Sequence, residues 1–416
     1  MYRSRLAVAV LAIAILLAAG RSASAYSVLT HEALIDATWD DGIRPILIAR
    51  FGSSPAALKQ ARAYAYGGCV IQDMGYYPMS SRFFGDLAHY VRSGDFVSAM
   101  IRQARDMNEL AFALGALAHY TADNYGHPLA VNRSVPLLFP KLERKFGRSV
   151  TYEDGMSEHL RTEFAFDVVQ VARGRYLPQA YHDFIGYEVS KPLLERAFHA
   201  TYGLDLHDVF ASLDTSVGTF RMAIGTLLPE LTKAAWTTKQ DDIVKADPGA
   251  TRQAFVFALS RRDFEDAWGR DYKRPNVGHR LLALFIRILP KVGPLKILAF
   301  KAPTPEAERL FLSSFQTVEA EYRHRLDLVR RGASSLEDRN FDTGQPVRAG
   351  DYRLADEAFA ELVTRLAKQQ FTGMTPALRA TILRFYGDGS APVETKAHRR
   401  EWEKLQANLA QLRSGR

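Results

Sequence analysis

Along most of the chain the apolar positions recur every three or four residues, the spacing of helices that bury one face. Runs that alternate apolar and polar are scarce. The pattern therefore predicts an all-α protein whose helices are joined by short polar turns. Asn108 to Tyr125 is rich in Ala and Leu, lacks proline, and reads as one helix. Thr304-Pro305 supplies an N-cap and a favourable first residue for a helix running towards Arg331. Asp351 is placed to open another, with Leu354, Ala358, Leu362, Val363 and Leu366 on one face. Thr375-Pro376 opens a third. Lys396 to Arg416 is highly polar and reads as a surface helix or a frayed tail. The polar stretch from Thr237 to Asp242 interrupts the apolar pattern and marks a soft boundary near Thr237–Gly249.

The first 25 residues follow a different logic. Arg3 and Arg5 give a basic start, Leu6 to Ala19 is a continuous apolar run, and Ala23-Ser24-Ala25 is a small-residue cleavage pattern. That is the form of a cleavable signal peptide. The run is shorter than the ~20 residues of a membrane-spanning helix, which argues against an uncleaved anchor. The expectation is export, to the periplasm or outside the cell, with the mature chain beginning at Tyr26.

Composition narrows the chemistry. Of 416 residues, 47% are hydrophobic and 24% charged, which is globular rather than disordered usage. At about 150 residues per folding unit, two or three units are expected. The one cysteine, Cys69, excludes an internal disulfide framework and any multi-cysteine zinc or iron–sulfur site, and it reads as a small buried residue. A metal site would have to use His, Asp and Glu. No glycine fingerprint for nucleotides is present. The formal charge of +8 is compatible with anionic lipid or nucleic acid and decides neither.

The candidate chemistry lies in the histidines and carboxylates. In Ala118-His119-Tyr120-Thr121-Ala122-Asp123-Asn124-Tyr125-Gly126-His127-Pro128, the residues His119, Asp123 and His127 stand four apart and share a helix face. The surrounding helix is apolar, and an imidazole or carboxylate buried alone costs several kcal/mol, so these groups need partners. A divalent metal is a natural one, although a solvated helix face or a structural hydrogen bond would also account for any single pair. His159-x-x-x-Glu163 repeats the spacing. Upstream lie His31, Asp73 and His89. Pro128 disfavours helix at His127, so a local turn is expected there.

Taken in order, these residues resemble the zinc-dependent phospholipase C family, which includes bacterial phosphatidylcholine-hydrolysing phospholipases C and, more distantly, single-strand zinc nucleases. The family's ligand series is the mature N-terminal residue, His, Asp, His, His-x-x-x-Asp, His, His-x-x-x-Glu. This chain supplies Tyr26, His31, Asp73, His89, His119-x-x-x-Asp123, His127 and His159-x-x-x-Glu163. The resemblance covers about residues 26 to 165. It departs from the family in Tyr26, where Trp is usual, and in His127, which follows Asp123 after four residues rather than six. The resemblance implies an all-α fold and up to three zinc ions. Asp123 would bridge two of them. One would also take Asp73, His89 and His119, and the other His31 with the Tyr26 amino nitrogen and carbonyl. The third would take His127, His159 and Glu163. It also implies phosphodiester hydrolysis by a metal-activated water, since metal binding lowers the pKa of water towards ~7. Asp73 would further orient or deprotonate that water.

On this basis the chain divides into a signal peptide at 1–25, a catalytic domain at 26–240, and a helical C-terminal region at 241–416 with no catalytic signature. The expected activity is phospholipase C-type cleavage of phospholipids. Glu163 points that way, because the nucleases typically end their series in Asp. A basic, apolar stretch from His279 to Lys301 offers a second hint, with Phe285 and Leu289 as candidate membrane contacts. Two core helices whose basic residues reach outward would give the same composition. A single-strand nuclease, with nucleic acid as its substrate, and a non-catalytic, metal-stabilised helical binding protein are the alternatives. No protein partner is evident.

Overall fold

The computed structural model describes residues 27–77, 79–172, 187–222, 300–387 and 399–414, together with Asp241 and Val244. Its described residues are helical throughout apart from turns, and the only strand-like pairing among them is an isolated bridge between Arg339 and Pro346. The all-α expectation holds.

The centre of the molecule is α6, to which the other helices are referred. Helices α1 (Val28–Thr38), α2 (Arg44–Phe51), α3 (Pro55–Gly68), α4 (Arg82–Tyr90) and α5 (Ser93–Gln103) precede it. Helix α6 itself spans Met107–Gly126, and every residue in it except Asn108 and Tyr125 is buried. A helix apolar on all sides belongs at the middle of a core. Its start is fixed by Asp106, whose carboxylate accepts the Glu109 N–H at 2.8 Å. Helix α3 packs along it most extensively. The approach is close enough that a Cβ on Gly68 would lie 2.0 Å from the Phe112 carbonyl oxygen, and one on Gly115 2.1 Å from that of Ala65. Glycine is required at both contact points.

Helix α6 does not stop at Pro128. It passes into a π-helical turn, His127–Val131, that leads into α7 (Asn132–Leu138). The His127 N–H still bonds to the Asp123 carbonyl, and the Asn132 N–H reaches back five residues to His127. The wider turn absorbs the donor that Pro128 lacks. The expected local turn is thus a π-bulge continuous with the helix. Helices α8 (Pro140–Phe146), α9 (Met156–Ala172), α10 (Lys191–Tyr202), α11 (Leu206–Val209) and α12 (Leu213–Met222) complete this part.

The C-terminal part contributes α13 (Pro305–Arg330), α14 (Arg353–Lys368), α15 (Pro376–Phe385) and α16 (Arg399–Ser414). Thr304 and Thr375 cap α13 and α15 as their sequences imply, accepting the N–H groups of Ala307 and Leu378. Asp351 does not cap α14. That helix starts two residues later, because Tyr352 is drawn inward and buried. Helix α16 is docked on α14 through Leu405, Leu409 and Leu412, so it is a packed surface helix and not a frayed tail. Helix α13 lies against α6, where the Tyr322 hydroxyl donates to the Leu114 carbonyl at 2.8 Å. The described residues between 28 and 220 and between 300 and 412 share one continuous hydrophobic cluster. Cys69 is buried and unbridged.

The candidate membrane contacts Phe285 and Leu289, the signal segment, Tyr26 and most of the Thr237–Gly249 boundary lie outside the described residues. Of the basic apolar stretch, only its end is described. Phe300 packs edge-on against Phe164 at 5.6 Å, and the Lys301 ammonium donates to the Leu138 carbonyl at 2.7 Å. Among the described residues no helix is long and apolar enough to cross a membrane.

Candidate metal centre

Six separate elements deliver eight of the nine ligand candidates to one place. Helix α1 carries His31, the 3₁₀ turn Gln72–Tyr76 carries Asp73, and α4 carries His89. Helix α6 carries His119 and Asp123, the π-turn carries His127, and α9 carries His159 and Glu163. None of the eight is more than 3% exposed. Burying that many ionisable groups together is unfavourable unless they neutralise one another or hold a cation.

Asp123 is the hub. Its Oδ1 lies 3.4 Å from His31 Nε2. Its Oδ2 lies 3.2 Å from His119 Nε2, 3.6 Å from His89 Nε2 and 4.0 Å from His127 Nε2. Asp73 Oδ1 lies 3.4 Å from His89 Nε2. The two oxygens of one carboxylate thus face different histidines, the disposition of a bridging ligand. The His31 and His119 rings stack with centroids 4.3 Å apart.

The far side of each ring decides what the near side presents. His89 Nδ1 is 2.8 Å from the Gly85 carbonyl, and His119 Nδ1 is 2.9 Å from that of Cys69. A carbonyl only accepts, so both Nδ1 atoms carry the proton. In the neutral ring, Nε2 then bears a lone pair aimed at the carboxylates. His89 Nε2, His119 Nε2 and both Asp123 oxygens form no hydrogen bond. Lone pairs opposed at 3.2–3.6 Å repel unless a positive charge, a metal ion or a ring proton, lies between them. His119 expresses the same demand. Burial would lower it, yet the Asp123 and Asp73 carboxylates push it up to about 9. The donor set fits zinc: imidazole nitrogens and carboxylate oxygens on fixed elements. His31, Asp73 and His119 form one group that could hold an ion, and His89, His119 and Asp123 form another.

His127, His159 and Glu163 form a third such group. His159 Nδ1 lies 2.7 Å from Glu163 Oε1, and its Nε2 lies 2.8 Å from Asn132 Oδ1. Burial drives His159 down to about 3, and burial with the neighbouring histidines takes His127 well below its ordinary value. Both rings therefore stay neutral, which is the ligating form.

A residue with no signal in the sequence joins this third group. Asp342, between α13 and α14, lies with Oδ1 3.1 Å from His127 Nδ1 and 3.8 Å from His159 Nε2. Burial raises its carboxyl to about 7. Next to it, Phe341 packs 5.2 Å from the His89 ring and 6.0 Å from that of His119. Only the turn residues around it, Asn340-Phe341-Asp342-Thr343-Gly344, mark the position in the sequence.

A family model described as zinc dependent phospholipase C matches residues 30–211. That segment is similar to the zinc-dependent phospholipase C family, and every described ligand candidate from His31 to Glu163 lies within it. Neither curated proteins nor solved structures gave a match.

Proposed function

We propose that the protein is an exported zinc-dependent phosphodiester hydrolase that cleaves phospholipids in the manner of a phospholipase C. The observation that carries this reading is the placement of Asp123, one oxygen towards His31 and the other towards His89 and His119, in a segment similar to that family. In this reading Asp123 would serve two zinc ions, one held with Asp73, His89 and His119 and the other with His31 and the Tyr26 amino nitrogen and carbonyl. His127, His159 and Glu163 would hold a third.

Zinc when bound lowers the pKa of water towards ~7 and offsets the charge of the phosphodiester and of its leaving alkoxide. The Gly85 and Cys69 carbonyls hold His89 and His119 with Nε2 forward. Asp73, 3.4 Å from His89 Nε2, would orient the attacking water or take its proton. Water adds to phosphorus, the bond to the diacylglycerol oxygen breaks, and that oxygen takes a proton. The products are diacylglycerol and a phosphorylated head group. The family match and Glu163 at the end of the series both favour phospholipid.

Phospholipid vesicles test this. Release of phosphorylated head group is expected, abolished by chelators and by His119→Ala. Faster cleavage of single-stranded nucleic acid than of any phospholipid would assign the chain to the nuclease alternative. No turnover of either with zinc bound would leave a metal-stabilised binding protein.

A further inference from the structure

We propose that Asp342 is itself a metal ligand. In this assignment the third ion is held by His127 Nδ1, His159 Nε2 and Asp342 Oδ1, while Glu163 acts on the far side of His159 as a positioning residue. The inference rests on the zinc reading above and revises its third ligand set. It brings in a residue from beyond the segment that the family model matches.

Four observations support it. Asp342 is 2% exposed, and its two oxygens are used unequally. Oδ2 accepts the Tyr152 N–H at 2.8 Å and a short hydrogen bond from the Tyr352 hydroxyl. Oδ1 has no hydrogen bond and points at the two imidazoles. Secondly, His127 Nδ1 is 3.1 Å from Oδ1 yet the two form no hydrogen bond, the relation of two ligands turned towards one ion. Two ligands on one tetrahedral zinc stand about 3.3 Å apart, given bonds of about 2.0–2.1 Å. The separations of 3.1 and 3.8 Å bracket that figure.

The third observation concerns His159. Its Nδ1 is engaged by Glu163 at 2.7 Å, leaving Nε2 as the nitrogen that faces His127 and Asp342. The two nitrogens of an imidazole diverge, so Glu163 Oε1 lies behind the ring. A carboxylate behind a ligating histidine fixes its tautomer and strengthens it as a donor. Asn132 Oδ1 now contacts Nε2 at 2.8 Å and would yield that position to an ion. Fourthly, the backbone holds Asp342 in place. The Asn132 amide donates to its carbonyl at 2.7 Å, and the Asn340 side chain accepts the Asp342 N–H at 2.9 Å. Gly344 closes the turn at φ +68°, where a Cβ would lie 2.5 Å from the Asn124 carbonyl oxygen.

The test is cobalt(II) loaded into the full-length protein in place of zinc, with Cys placed at either carboxylate position. A thiolate bound directly to cobalt gives a charge-transfer absorption that a nearby, unbound thiol does not. Wild type, whose Cys69 thiol is buried against the Tyr66 carbonyl, serves as the blank. Asp342→Cys should show the band and Glu163→Cys should not. Asp342→Asn should retain the ions around Asp123 and lose affinity for one ion by more than about 100-fold, beyond the about 10–100-fold expected for a residue behind a ligand. A band in Glu163→Cys, or none in a folded Asp342→Cys that keeps all its ions, overturns the assignment. If Asp342→Cys does not fold, Glu163→Cys decides alone: three ions without a band support the proposal. Wild type that binds neither cobalt nor zinc removes the zinc reading itself, a failure distinct from a band at the wrong position.

Discussion

Helix α6 and the turn at residues 340–344 both put a carboxylate beside His127, by opposite means. Helix α6 does it with repetition. His119, Asp123 and His127 are four apart on a rigid buried rod, and one helical turn and one π-turn suffice to aim them. The turn does it with contacts that reach 210 and 190 residues back in the sequence, to Asn132 and Tyr152, and 10 ahead, to Tyr352. Asp342 is aimed by Tyr152, Asn132 and Tyr352, while Phe341 closes over His89 and His119. The first solution is local: the spacing along one helix sets it. The second exists only when the C-terminal helices are docked. The segment that carries the family's residues is therefore not self-sufficient in this chain. Its core and its cluster of buried histidines and carboxylates are finished by described residues between 300 and 412.

Removing the second region altogether should break the comparison most severely. A chain ending at residue 299 loses α13, Phe341 and Asp342 and exposes one flank of α6. It should show no cooperative thermal transition by circular dichroism. A folded, zinc-loaded product would show that the family segment stands alone. Phe341→Ala acts on a smaller scale. Emptying a fully buried site against two histidines should cost about 3–5 kcal/mol of stability in denaturant unfolding. A cost near zero would show that the turn merely overlies the cluster.

The smallest effect is electrostatic. Asp338 accepts the Asp95 N–H at 2.9 Å, joining the turn to α5. Burial, and then Asp95, raise its carboxyl to about 6. The folded state then holds a proton that the unfolded chain has released, so stability falls as pH rises from about 4 to about 6. Asp338→Asn keeps an acceptor and removes that titration. Its stability should fall less across the same window, and identical profiles would mean that Asp338 is not buried by docking.

The same contrast explains what could be read in advance. The helices at Asn108–Tyr125, Thr304 and Thr375 were legible because caps and apolar spacing are local. The series from His31 to Glu163 was legible because each member lies on a helix or a short turn at the family's order of residue types. The start of α14 was misplaced by two residues because burial of Tyr352, a tertiary event, overrides the capping preference of Asp351. Pro128 signals a local turn at His127, and the π-turn His127–Val131 is the form it takes. Asp342 was illegible for a plain reason. A lone acid in a polar turn is ordinary, and only three-dimensional proximity to His127 distinguishes it.

Metal content of the purified full-length protein, after expression with ample zinc, tests the central claim most directly. The account predicts two to three zinc ions per chain, and joint loss of two of them in Asp123→Asn, because one carboxylate serves both. Wild-type zinc at or near zero would contradict it.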